Sequence, residues 1–142
     1  MTHACVLDTH AWIILMQDPD RLPTRARRFL QGGMTLHVPG TCLREVAWLW
    51  HSGHIAPADA GMSAERWMRM ALADPCELAP VSPAIAVCAA ALGDEGFHRD
   101  PSDRLIYATA RVMDVPLITG DTAIRAFEKG LPRKAKRLAV WA

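Results

Sequence analysis

A chain of 142 residues and 15.6 kDa has the size of one domain, large enough to bury roughly two-thirds of the surface its unfolded form exposes. With 51% hydrophobic residues, 22% charged residues and a mean hydropathy of +0.06, it holds too much apolar material for intrinsic disorder, and no repeat of solenoid period is present. The net charge of +1 averages two unlike regions: residues 1–124 carry ten basic and fourteen acidic side chains, residues 125–142 six and one.

In chain order, Ala4 to Leu7 reads as a short buried strand, followed by a polar Asp8-Thr9-His10 turn and a helix from Ala11 to Gln17. Pro23 to Gln31 reads as a second helix, with Arg25, Arg27 and Arg28 on its wet side and Gly32-Gly33 as its stop. Met34 to Val38 is a second strand, and Pro39-Gly40 turns it into a helix over Thr41 to His51, with Thr41 as N-cap and Glu45 in its first turns. A helix over Ser63 to Ala73 precedes strand three, Cys76 to Ala79; Pro83 to Leu92 is the next helix, ended by Gly93. Asp100 to Met113 is the best-marked helix, with Asp100 as N-cap, Pro101 at the first helical position and Asp103 as first-turn acid. Pro116 to Thr119 is strand four, Asp121 to Phe127 a short helix and Arg137 to Trp141 strand five. Strands separated by helices do not pair as hairpins, so the class is α/β, with a mostly parallel sheet covered on both faces.

No apolar stretch approaches the roughly 20 residues of a membrane span, and an aspartate at position 8 interrupts what would be a signal peptide, so a cytoplasmic protein with no membrane crossing is expected. Cys5, Cys42, Cys76 and Cys88 are too irregularly spaced for a zinc ribbon or redox pair and read as free, mostly buried thiols. His51 and His54 lack a third soft ligand nearby and read as surface residues; Trp48, Trp50 and Trp67 read as core or interface, with base stacking as the alternative. The basic tail reads as a solvated helix end or as a face for a polyanion. No GxGxxG, Walker A, GxSxG or HExxH string occurs.

Open parallel sheets bind ligands beyond the carboxyl ends of their strands, where strand order reverses. Asp8 follows strand one and Asp121 follows strand four, while Glu45 and Asp103 lie near the starts of helices that can open on the same edge. Each acid has an ordinary alternative: Asp8, Asp100 and Asp121 as helix caps, Asp103 as a dipole acid, Glu45 as a solvated helical residue. Together in one crevice, however, such carboxylates repel, and a divalent cation relieves the repulsion. Few hard oxygen donors with room for water and phosphate suit Mg²⁺ or Mn²⁺, and the chemistry this implies is phosphodiester hydrolysis.

The strings VLDTHAWI (Val6 to Ile13), LREVAWL (Leu43 to Leu49), HRDPSDRLIYATA (His98 to Ala110) and PLITGD (Pro116 to Asp121) resemble the acidic motifs of PIN-domain ribonucleases, in particular VapC-type toxins of type II toxin–antitoxin modules. The resemblance runs from the first strand to Trp141 and implies a single PIN domain over residues 1–142, a three-layer α/β/α fold with a five-stranded parallel sheet ordered 3-2-1-4-5. It further implies that Asp8, Glu45, Asp103 and Asp121 are the catalytic, metal-binding acids, with Asp100 as an auxiliary carboxylate and Thr119 as a hydrogen-bonding neighbour. An endoribonuclease using Mg²⁺ or Mn²⁺, an RNA substrate, a homodimer and a cognate antitoxin are implied with them. Leu49 and His54 stand where similar proteins often carry lysines, and Ser102 where an aromatic residue is common. Two competing readings are a PIN-like module that has lost catalysis and acts by binding protein, and a phosphatase with Asp8 as nucleophile. The latter is disfavoured because position 10 is His and no suitable lysine follows.

Overall fold

The structure, a computed structural model, describes residues 3–55 and 61–142. Strand β1 (Ala4–Leu7) is the centre of the sheet. Its Cys5, Val6 and Leu7 are all fully buried although successive side chains point to opposite faces. A strand dry on both sides requires helices on both faces of the sheet, which is why it reads as a continuous apolar run rather than an alternating one. β1 pairs in parallel with β2 (Thr35–Pro39) on one side and with β4 (Leu117–Ile118) on the other; β3 (Cys76–Ala79) lies outside β2 and β5 (Ala139–Val140) outside β4. The resulting order is β3-β2-β1-β4-β5, as the sequence resemblance implies.

The helices are α1 (Thr9–Gln17), α2 (Thr24–Leu30), α3 (Gly40–His51), α4 (Ala64–Ala71), α5 (Pro83–Ala91), α6 (Pro101–Met113) and α7 (Thr122–Lys129). Trp12 and Tyr107 are the largest fully buried side chains. Each places its polar atom against a partner, Trp12 Nε1 donating to the Ala71 carbonyl at 3.0 Å and Tyr107 Oη to Glu128 at 2.7 Å, as buried aromatics of these types require. The four cysteines are free; Cys5, Cys42 and Cys76 are buried and Cys88 partly so.

Three local expectations are corrected. There is no Asp8-Thr9-His10 turn: α1 starts at Thr9 because Asp8 Oδ1 accepts the Ala11 amide at 2.7 Å and caps the helix directly off the strand. Thr41 is not an N-cap: α3 starts at Gly40, the cap position is Pro39, and the Thr41 hydroxyl instead meets Ser102 Oγ at 2.8 Å. Gly93 does not end α5: the chain tightens into a 3₁₀ turn over Leu92–Glu95 and stops at Gly96, whose φ of 88° favours a glycine.

Candidate functional site

The sheet register brings the acids to one edge. Leu7 pairs with Ile118, and the Asp8 amide donates to the Ile118 carbonyl at 3.1 Å, so β1 and β4 end side by side and release Asp8 and the Thr119-Gly120-Asp121 segment at the same level. Asp121 Oδ1 caps α7 by accepting the Ile124 amide at 2.9 Å, and Asp100 Oδ1 caps α6 by accepting the Asp103 amide at 3.0 Å. The capping explanation and the functional one are therefore compatible. Asp8, Asp100 and Asp121 each commit Oδ1 to a helix start, and the partial positive charge of three helix N-termini tempers the crowding of carboxylates.

Thr119, fully buried, ties the two strand ends together: its hydroxyl bonds the Asp8 carboxylate and accepts the Asp121 amide at 3.1 Å. Glu45 arrives from α3 and accepts Thr9 Oγ1 at 2.8 Å through Oε1. Asp103, on the first turn of α6, faces His98, with Nε2 2.6 Å from Oδ2. One side-chain atom from each of His98, Asp103 and Asp121 falls within 4.8 Å of the others. Asp8 and Glu45 adjoin this group electrostatically: Asp8 feels the charge of Asp121, and Glu45 that of Asp103 and Asp100.

Burial and mutual repulsion show in the acidities. Asp8, 6% exposed, has its pKa pushed up to about 6, chiefly by desolvation and also by Asp121, against the opposing bonds from Thr119 and Ala11. Burial likewise raises Glu45 and Asp103, assisted by neighbouring acids and opposed by Thr9 and His98 respectively. These are oxygens taken from water without full compensation, a hard donor set that suits a small divalent cation.

His98 received no role from its residue type. It lies in the loop leading into α6, stacks on Phe97 (centroids 4.5 Å apart, planes at 19°), and directs Nε2 at Asp103, while Nδ1 is buried with no hydrogen-bond partner among the described residues. Its place just ahead of the Asp100 cap was the available signal, because residues preceding a helix that opens on the sheet edge face that edge as well.

Trp141 closes the far side, with its ring lying on Gly120. A Cβ on Gly120 would come 2.5 Å from the indole. Gly120→Ala is therefore expected to destabilise the protein by about 1–3 kcal/mol, the usual cost of overpacking, and to change the near-UV dichroism of tryptophan. Gly130→Ala, whose Cβ would meet its nearest atom at 3.5 Å, is the control; thermal denaturation of the two variants side by side checks the difference.

Beside the acids, His10, Arg44, Glu45, Trp48, Leu49, Asp100, Pro101 and Ser102 line a cleft of about 250 Å³. The structure divides the tryptophans by environment: Trp67 is buried, Trp50 packs on the core edge and Trp48 is 59% exposed. The basic tail divides too. Arg137 donates to the Leu131, Pro132 and Ala135 carbonyls and Lys136 pairs with Asp114, while Arg125 and Lys129 join Arg25, from the other arginine-rich face, around a separate cleft of about 180 Å³.

A family model described as the PIN domain matches residues 5–130. Ribonuclease VapC22 of Mycobacterium tuberculosis is 31% identical over 136 residues, covering 96% of this chain and 97% of its own. Among solved structures, a toxin–antitoxin complex from Klebsiella pneumoniae superposes with a TM-score of 0.61 at 22% identity, over 96% of this chain and 95% of that one. VapBC-1 from nontypeable Haemophilus influenzae gives 0.62 at 16% identity, over 90% and 94%. At these identities the structural matches bear on the fold.

Proposed function

The chain belongs to the PIN-domain family, and from that premise we propose that it is a metal-dependent endoribonuclease of the VapC toxin type, neutralised by a cognate antitoxin. The observation that carries this reading is the grouping of Asp103 and Asp121 with His98, ligand atoms within 4.8 Å of one another, beside Asp8, which feels the charge of Asp121, and Glu45, which feels that of Asp103, although these acids lie 37 to 113 residues from Asp8 in the sequence. Asp8, Asp103 and Asp121 would hold Mg²⁺ or Mn²⁺, with Asp100 as an auxiliary carboxylate and Glu45 available for a second ion. A bound ion of this kind lowers the pKa of a water and offsets charge on the leaving oxygen of a phosphodiester.

The protein's own groups supply the remainder. Glu45, held through Oε1 by Thr9, would orient the attacking water and take its proton through its other oxygen. His98 fixes Asp103 by one oxygen and leaves Oδ1 for the site. Arg44, whose Nη2 donates to Ser102 Oγ at 2.7 Å, keeps a positive charge at the cleft wall where a substrate phosphate would enter. Homodimerisation fits α5, which is apolar on all sides and leaves Val87 71% exposed. An uncharged helical face is self-complementary without like-charge repulsion, which suits a two-fold contact.

The protein freed of any partner is expected to cut single-stranded RNA with Mn²⁺ or Mg²⁺ and to fall to background with a chelator. Calorimetric titration of Mn²⁺ separates this from a module that has lost catalysis. Cleavage indifferent to chelation, or the absence of carboxylate-dependent Mn²⁺ binding, would overturn the proposal.

A further inference from the structure

We propose that the cleft beside the acids is a nucleobase subsite, in which an unpaired base of RNA stacks on Trp48 while Arg44 engages the adjoining phosphate. The proposal rests on the ribonuclease reading and specifies how that site holds its substrate. Glu45 and Trp48 are three residues apart on α3, and Arg44 and Trp48 four apart, spacings that put the members of each pair on neighbouring turns of one helix face. A base on the indole therefore lies next to a cation and next to a carboxylate of the site.

The platform is already ordered. Trp48 lies nearly parallel to His54, with centroids 5.5 Å apart and planes at 19°, and the His54 Nδ1 is 2.7 Å from Ser52 Oγ. His54 packs beside the indole while Trp48 as a residue stays exposed. Arg44 is also built in rather than free: its Nη2 bonds the hydroxyl of Ser102, a residue 3% exposed, which also meets Thr41. A cation beside an exposed indole suits a single-stranded nucleic acid, whose bases offer π-faces and whose backbone offers negative charge. The centres of protein–protein contacts are instead depleted of carboxylates, and Glu45 and Asp100 both line this cleft.

The test measures binding apart from cleavage. Fluorescence anisotropy of a short fluorescein-labelled single-stranded RNA of mixed sequence is followed in the Asp8→Asn background with Mg²⁺, alone and with Trp48→Phe or Trp48→Ala added. Trp48→Ala is expected to weaken single-strand binding roughly tenfold or more, Trp48→Phe to retain most of the affinity, and neither to alter binding of the same RNA annealed to its complement, whose bases are stacked internally. In otherwise unaltered protein, Trp48→Ala should raise KM for single-stranded RNA with little change in kcat. Single-strand affinity unchanged in Trp48→Ala overturns the subsite. So does a Trp48→Ala variant that loses self-association or protein-partner binding, seen by sedimentation, while RNA affinity stays intact. Failure of the ribonuclease reading looks different: RNA cleavage is then absent, or persists undiminished in Asp8→Asn, whatever Trp48 does.

Discussion

Asp8→Asn is expected to lower RNA cleavage by about a hundredfold or more while leaving the fold intact. Residues that merely orient a metal ligand commonly cost ten- to a hundredfold when changed, and Asp8 is placed here as a ligand itself. The substitution is unusually clean, because asparagine caps a helix about as well as aspartate and keeps an oxygen for the Ala11 amide. The charge is lost and the α1 start is not. Stability should respond in the opposite sense from activity. In metal-free protein the Asp8 pKa lies at about 6, above its unfolded value near 4, so the folded state binds this proton more tightly than the unfolded chain does. The associated stability is fully present below about pH 4 and is lost as pH rises toward 6, by on the order of 3 kcal/mol. Chemical denaturation with a chelator at pH 4 and pH 7 should show this loss in the wild type and a smaller one in Asp8→Asn. A variant that cleaves RNA normally would remove Asp8 from the site, and an unchanged pH dependence would show that the buried charge is not the destabilising element.

Glu128→Ala is expected to produce the largest loss of stability, about 3–5 kcal/mol, the cost of breaking a buried charged network by removing one partner. Glu128 is the only acid among the basic residues of the tail, and it is 5% exposed. Its Oε2 accepts Tyr107 Oη at 2.7 Å and the Leu138 amide at 2.6 Å, while Oε1 accepts the Ala139 amide at 3.0 Å. One carboxylate thereby joins α6, α7 and the approach to β5, a strand with only two paired residues. Alanine strands two backbone donors and a phenol. Glu128→Gln keeps one acceptor and opposes the other donor group with an amide, so it should cost about half as much. A loss comparable to that from Glu128→Ala takes up a large share of the 5–15 kcal/mol that typically separates folded from unfolded chains. Urea denaturation of both variants measures it, and an alanine variant within 1 kcal/mol of wild type would show that β5 is held by its ladder alone.

These two residues mark different degrees of legibility. Asp8 could be singled out because an acid directly after an apolar strand stands out locally, and the same holds for Asp121 after β4 and for the Asp100-Pro101 helix start before Asp103. Strand and helix alternation, carried by short apolar runs and capping chemistry, was sufficient for the α/β class, and the motif strings carried the strand order. Glu128 looked like one acid in a solvated cationic stretch, since nothing in its neighbours along the chain indicates that Tyr107 and the β5 amides converge on it. Similarly, His98 offered only its place ahead of the Asp100 cap and nothing that pairs it with Asp103, Thr41 fitted a cap yet bonds Ser102, and Trp48, Trp50 and Trp67 were indistinguishable until packing buried one and left another in solvent.

The amino-acid order thus determined which segments form strands and helices, and which carboxylates sit at their ends, because periodicity and capping act over a few neighbouring residues. Only the tertiary structure decided the Asp103–His98 pairing, the Glu45–Thr9 clasp, the Gly120–Trp141 closure and the burial of Glu128. Side-chain contacts across the sheet edge depend on register, helix rotation and exclusion of water, and those are fixed when the whole core closes.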